Sequence, residues 1–219
     1  MSFAREQIER LRPLWDRMTS HPFLILTRDG TIPDATFARW MQQDYLFVEA
    51  AIPFIAAMIP TGPREHWQGH AGIISAFTKE LDLFRERAEA AGVTMEGIEP
   101  SFTCHAYIQF LLATAYRHSY TEAYTVLYAA EKCYHDSWKV VQDGIDPDSL
   151  WYPFVENWAG DEFAAYVGHL EGELDRLAEA AGAAERDRMA ELFELTVKYE
   201  IAFWEMAFTD DAWPGIPPA

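Results

Sequence analysis

A glutamate and a cysteine stand two positions apart in YTVLYAAEKCYHDSW (124–138). Either one, Glu131 or Cys133, could act on a bound substrate: a carboxylate as base or nucleophile, a thiol as nucleophile. On an α-helix two positions are about 200° of rotation, so the two cannot face one cavity. With Glu131 at zero, Tyr120, Tyr124, Leu127, His135 and Trp138 share its face, and Glu122 and Asp136 fall on the far side. The wheel therefore gives the aromatic stripe to Glu131. It points Cys133 away into a neighbouring helix, as an ordinary buried thiol.

Two more carboxylates behave like Glu131. Around Glu200, the residues Met189, Phe193, Thr196, Trp204 and Ala207 lie within about 40°, while Glu191, Glu194, Lys198 and Glu205 lie opposite. Around Asp44, the residues Phe37, Trp40, Val48, Ala51 and Ile55 lie within about 40°, with Arg39 and Glu49 opposite. Glu80 is a weaker fourth case, because Arg87 shares its face with Ile73, Ala76 and Phe84. Burying an unpaired carboxylate costs several kcal/mol or forces it to take a proton. Three such groups among Tyr and Trp point to a shared polar pocket for acid–base chemistry. The structural alternative is that each one holds a Tyr hydroxyl, a Trp N–H or an Arg.

His66 and His70, four apart, could ligate a metal from one helix face. The Glu-x-x-His pairs of di-iron bundles are absent, and no metal or other cofactor is expected. The chain has neither a glycine-rich phosphate loop nor a serine-nucleophile motif.

The elements that must position these groups are helical. The apolar period is that of helices almost throughout, with no alternating run flanked by hairpin turns. Breaks rich in Gly, Pro and Asp fall at 21–34, 59–65, 90–101, 143–149 and 178–185. They leave seven or eight helices, at roughly 4–18, 34–58, 64–90, 101–118, 121–142, 148–158, 160–180 and 184–208. Pro53 and Pro153 should kink or break theirs. No break is long enough for a linker, so one all-α domain over 1–208 is expected, with 209–219 as a tail.

The whole chain narrows the function classes. Its 17 Lys+Arg against 35 Asp+Glu give a net charge of −18. Such a surface repels phosphate, which argues against a nucleic-acid partner and for a small ligand or a protein. No uncharged apolar run approaches the ~20 residues of a membrane span, and the first residues lack a signal-peptide core. A soluble, cytoplasmic protein without a membrane partner is expected. The two cysteines, Cys104 and Cys133, make no disulfide framework.

Two stretches carry a family resemblance. HPFLILTRDGTIPDATFARWMQQDYLFV (21–48) resembles the opening helices of the TenA/thiaminase-II family, and KYEIAFWEMAF (198–208) resembles its last helix. The match runs from about Trp15 to Phe208. It implies a single heme-oxygenase-like bundle, usually a homo-oligomer (a dimer or tetramer), with a pocket for an aminopyrimidine. Glu200 and Asp44 match the family's inward Glu and Asp. Tyr107 looks like a pocket tyrosine, Phe203 matches a ring that packs on the pyrimidine, and Phe47 and Trp158 stand where many members have Tyr. Tyr134 is counted with these substrate-contacting rings. AAEKCYHDSW lacks the family's Pro-Cys pattern and resembles the branch with Glu in place of the catalytic Cys. That branch is linked to hydrolysis of aminomethyl or formylaminomethyl pyrimidine, products of thiamin breakdown, toward hydroxymethylpyrimidine. In this reading Asp44 holds the ring's amidine edge, Glu200 is the acid and Glu131 the base or nucleophile. The rival readings are a Cys133-dependent thiaminase, a non-enzymatic pyrimidine binder and a metal-dependent oxidase.

Overall fold

A computed structural model describes residues 2–209 and 211–215. Among them the chain forms ten α-helices, one 3₁₀ turn and no strand. Contacts group the residues into two compact units, 1–32 with 121–202, and 33–120 with 203–219.

The first unit opens with α1 (Phe3–Arg10), α2 (Arg12–Thr19) and α3 (Pro22–Arg28). The single helix expected over 4–18 is two. It breaks at Leu11, because Pro13 near the start of α2 has no N–H to continue the ladder. The 21–34 stretch, expected as a break, contains α3. Pro22 is pre-set for a first helical turn, and the His21 ring accepts from the Phe23 N–H at 3.2 Å. The helix ends where Gly30 takes φ +67°, a conformation open to a residue without Cβ. These two differences raise the helix count above the seven or eight expected.

The same unit holds α7 (Tyr120–Gln142) from Thr121 on, α8 (Tyr152–Ala159), α9 (Asp161–Ala180) and residues 183–202 of α10 (Ala183–Thr209). Pro153 starts α8 rather than breaking a helix from 148, since a first-turn N–H has no intrahelical partner to lose. In α7 every residue from Glu122 to Ala129 is buried. This first half of α7 is enclosed on all sides, while the second half keeps an exposed position at Lys139. The first unit packs α1 against α9 and α8 against α9.

The second unit is built on α4 (Asp34–Met58), against which α5 (Trp67–Ala91) and α6 (Phe102–Arg117) pack. Pro53 lies inside α4 and does not end it. Gly92 closes α5 at φ +67°. Ser101 caps α6, its hydroxyl accepting the Cys104 N–H at 3.3 Å. Part of the stretch expected as a tail docks here: Asp211 accepts the Thr103 N–H at 2.8 Å, and Trp213 packs on Phe102 and His105. Residues 210 and 216–219 of that stretch lie outside the described residues. No helix among the described residues is long and apolar enough to cross a membrane.

Candidate active site

In the second unit, Asp44 is buried on α4 with 1 % exposure. One turn on, the Phe47 ring meets Tyr107 of α6 at 4.6 Å between centroids. Phe203 closes the group, 5.5 Å from Phe47 and 6.3 Å from Tyr107. Three aromatic rings, from α4, α6 and the end of α10, thus gather near the helix turn that carries Asp44. Asp44 itself is next to a clamp. The Gln43 carboxamide donates to the Glu99 carbonyl at 3.0 Å and accepts the Ser101 N–H at 2.8 Å. The Cys104 thiol donates to the Gln43 carbonyl at 3.4 Å. Burial, and then the charge of Asp44, push that thiol far above its ordinary pKa.

In the first unit, Glu131 on α7 accepts the Tyr166 hydroxyl of α9 at 3.1 Å. Tyr134 meets Trp158 edge-on at 5.3 Å, and Trp158 stacks on Trp138 at 5.4 Å and on Phe154 at 5.6 Å. This face of α7 is therefore a wall of rings shared with α8. Glu200 is 2 % exposed on α10.

Cys133 is fully buried, and its thiol is pushed well above the ordinary value by burial first, then by the charges of Glu200 and Asp136. It does diverge from Glu131, as two positions on a helix require. It does not sit among apolar neighbours alone, however: the charge of Glu200 reaches it. The wheel ranks faces by polarity along one helix and could not show that Glu200, on another helix, comes near this thiol.

Two other expectations change as well. Glu122, expected on a solvated far side, is 3 % exposed and accepts from Arg188 at 2.5 Å. Asp136, expected on that side too, is a hub. It accepts from Trp15 Nε1 at 3.1 Å and Lys132 Nζ at 2.7 Å, and contacts His135 Nδ1 at 3.2 Å. Burial raises its pKa, but the bonds from His135 and Lys132 outweigh that and leave it below the ordinary carboxylate value. Glu80 is buried on α5.

His66 and His70 share one partner. The Tyr120 hydroxyl lies 2.6 Å from His66 Nδ1 and 2.8 Å from His70 Nε2. Among the described residues no three His, Cys, Asp or Glu side chains gather as a metal-ligand group.

Sequence reasoning missed Gln43 and Tyr166. Tyr166 was legible in principle: it lies one position from the Phe163–Val167–Leu170–Leu174 stripe of α9, with a polar tip that needs a partner when buried. Gln43 gave no signal, because its partners are main-chain groups of a loop.

The pattern of the TENA/THI-4/PQQC family matches residues 8–210. The chain is 28 % identical to a Halalkalibacterium halodurans protein named aminopyrimidine aminohydrolase, over 97 % of this chain and 98 % of that one. It resembles the crystal structure of a TenA homologue from Pyrococcus furiosus, with TM-score 0.90 and 33 % identity, covering 94 % of this chain and 99 % of that chain. It also resembles a Shewanella denitrificans domain with a heme oxygenase-like fold, with TM-score 0.74 and 15 % identity, covering 94 % of this chain and 92 % of that chain. The all-α, heme-oxygenase-like fold is thus the fold of this chain.

Proposed function

The chain belongs to the TENA/THI-4/PQQC family, and from that premise we propose that it is an aminopyrimidine hydrolase of thiamin salvage, cleaving a C–N bond. The observation that carries the reading is the full-length likeness to an aminopyrimidine aminohydrolase, joined to three carboxylates that are each at least nine-tenths buried, Asp44, Glu131 and Glu200. The substrate is an aminomethyl or formylaminomethyl pyrimidine. The protein works as a single-domain, cytoplasmic homo-oligomer over 1–208, without a cofactor.

Asp44 accepts from the exocyclic amine and bonds the adjacent ring nitrogen, as a carboxylate beside an amidine edge can. Phe47, Tyr107 and Phe203 offer stacking faces for the ring, and Tyr134 and Trp158 offer more. On the aminomethyl compound, water oxygen bonds to the methylene carbon as the C–N bond breaks. Glu131 takes the water proton, Glu200 gives one to the leaving nitrogen, and ammonia departs. On the formyl compound, water adds to the formyl carbon instead and formate departs.

A second reading is favoured by one observation: the charge of Glu200 reaches the Cys133 thiol. Here Glu200 takes the thiol proton and Cys133 sulfur attacks the methylene carbon. Nitrogen leaves with that proton, and water then displaces the sulfur. The thiol's raised pKa makes the neighbouring base a requirement.

The test is a product assay with the aminomethyl compound, its formyl derivative and thiamin, run on the protein and on Glu131→Gln, Glu200→Gln and Cys133→Ala. Hydroxymethylpyrimidine lost in Glu131→Gln and kept in Cys133→Ala supports the water mechanism. The reverse pattern supports the thiol. Full turnover in Glu200→Gln removes Glu200 as the acid. Turnover of none of the three compounds by the unaltered protein sinks the hydrolase reading.

A further inference from the structure

Among the described residues, Ser137 departs from what four deeply buried threonines do. Thr27, Thr114, Thr125 and Thr196 are all at most 1 % exposed and lie inside helices. Each satisfies its hydroxyl on its own helix, bonding the carbonyl four residues back at 2.7, 2.8, 2.9 and 2.9 Å. Ser137 is as deeply buried, at 0 % exposure, in the middle of α7. Its Oγ has no hydrogen-bond partner. The carbonyl of Cys133 stands four residues back, available for the same bond, and Ser137 does not use it. Its hydroxyl is buried and left without a partner.

The position of that hydroxyl is informative. Four residues are about 400° of helix, so Ser137 lies about 40° from Cys133 and one turn away. Cys133 is the residue of α7 whose thiol is reached by the charge of Glu200. An unsatisfied hydroxyl removed from water costs free energy that a well-packed core would avoid with alanine. A hydroxyl is both a donor and a two-fold acceptor, so it can meet an ammonium, an amide N–H or a carbonyl oxygen.

We propose that Ser137 is a substrate-binding residue whose hydroxyl engages the nitrogen-bearing one-carbon substituent of the pyrimidine, beside Cys133 and Glu200. The inference rests on the hydrolase reading for the identity of the ligand. It adds a contact that neither mechanism above uses. Ser137 meets the group that leaves. It therefore separates substrates by their substituent. An aminomethyl group donates to Oγ, and a formylaminomethyl group accepts from Oγ–H through its carbonyl. A bare methyl does neither.

The test is calorimetric binding of two probes, the aminomethyl pyrimidine and the analogue with a plain methyl in its place, to the protein and to Ser137→Ala. Turnover of the first probe is suppressed by using the Glu200→Gln background for both proteins. Alanine is the better helix former, so the variant folds. The wild-type side chain should favour the aminomethyl probe about tenfold, the worth of one hydrogen bond to a charged group. Ser137→Ala should erase most of that preference while leaving affinity for the methyl probe unchanged. Its Tm should hold or rise, because no bond is lost and an unsatisfied hydroxyl is removed. A preference that survives in Ser137→Ala, or no preference in the parent, overturns the inference and leaves the hydrolase reading standing. A Tm several degrees lower with an unchanged probe ratio makes the hydroxyl structural and overturns it too. Failure of the aminomethyl probe to bind the protein with Glu200 intact sinks the hydrolase reading, and the inference with it.

Discussion

Acid should destabilise this protein through one imidazole in particular. His70 is 2 % exposed, and its pKa is lowered from 6.5 to about 4, by burial first and then by the charge His66 would carry. Its Nε2 shares the Tyr120 hydroxyl with His66 Nδ1. That hydroxyl has one proton, so one imidazole accepts from it and the other donates to it. A second positive ring would face the first across a single oxygen. In the unfolded chain His70 takes a proton near its ordinary value, while in the folded chain it resists until about pH 4. The folded state therefore binds fewer protons across that window. The stability His70 contributes is complete above about pH 6.5, falls as the pH drops, and is gone below about pH 4. A gap of about 2.5 pH units corresponds to about 3 kcal/mol. The assay is urea denaturation over this range for the protein and for His70→Gln, whose amide can still bond Tyr120 but cannot titrate. The stability difference between the two should shrink by about 3 kcal/mol from neutral pH to the acid end. Parallel curves, or a difference that grows in acid, would refute the reasoning.

Two further outcomes follow from packing. Arg188→Ala removes one partner of Glu122, whose side chain is 4 % exposed. The variant should unfold at a lower denaturant midpoint than the parent; an unchanged midpoint would show that this half-exposed pair contributes nothing measurable. Gly62→Ala drives a Cβ into the Tyr120 ring. It should cost about 1–3 kcal/mol and lower the Tm, and an unchanged Tm would mean that Tyr120 gives way freely.

Much of the architecture follows from local chemistry. Helical periodicity and Gly/Pro breaks are set by neighbours along the chain, so the all-α class and most helix bounds were readable from the sequence. The errors were local as well. Pro13 and Pro22 start helices because a first turn needs no N–H from them. Running one helix through Pro13 merged α1 with α2, and taking 21–34 as a break hid α3. The inward aim of Asp44, Glu131 and Glu200 was also legible, since each sits among apolar positions at helical spacing, and all three are buried.

Partners across helices were beyond the sequence. A wheel ranks faces by polarity, and it ranks them well where one face meets water. For the first half of α7, enclosed on every side, that contrast disappears. Only packing decided that Glu131 meets Tyr166, that Glu122 meets Arg188, and that Cys133 feels Glu200. The Gln43 clamp and the unsatisfied Ser137 hydroxyl have the same origin. Periodicity along a chain states which residues turn inward. Which side chain each one meets there depends on the register between helices far apart in sequence, and that register is set by the packed core as a whole.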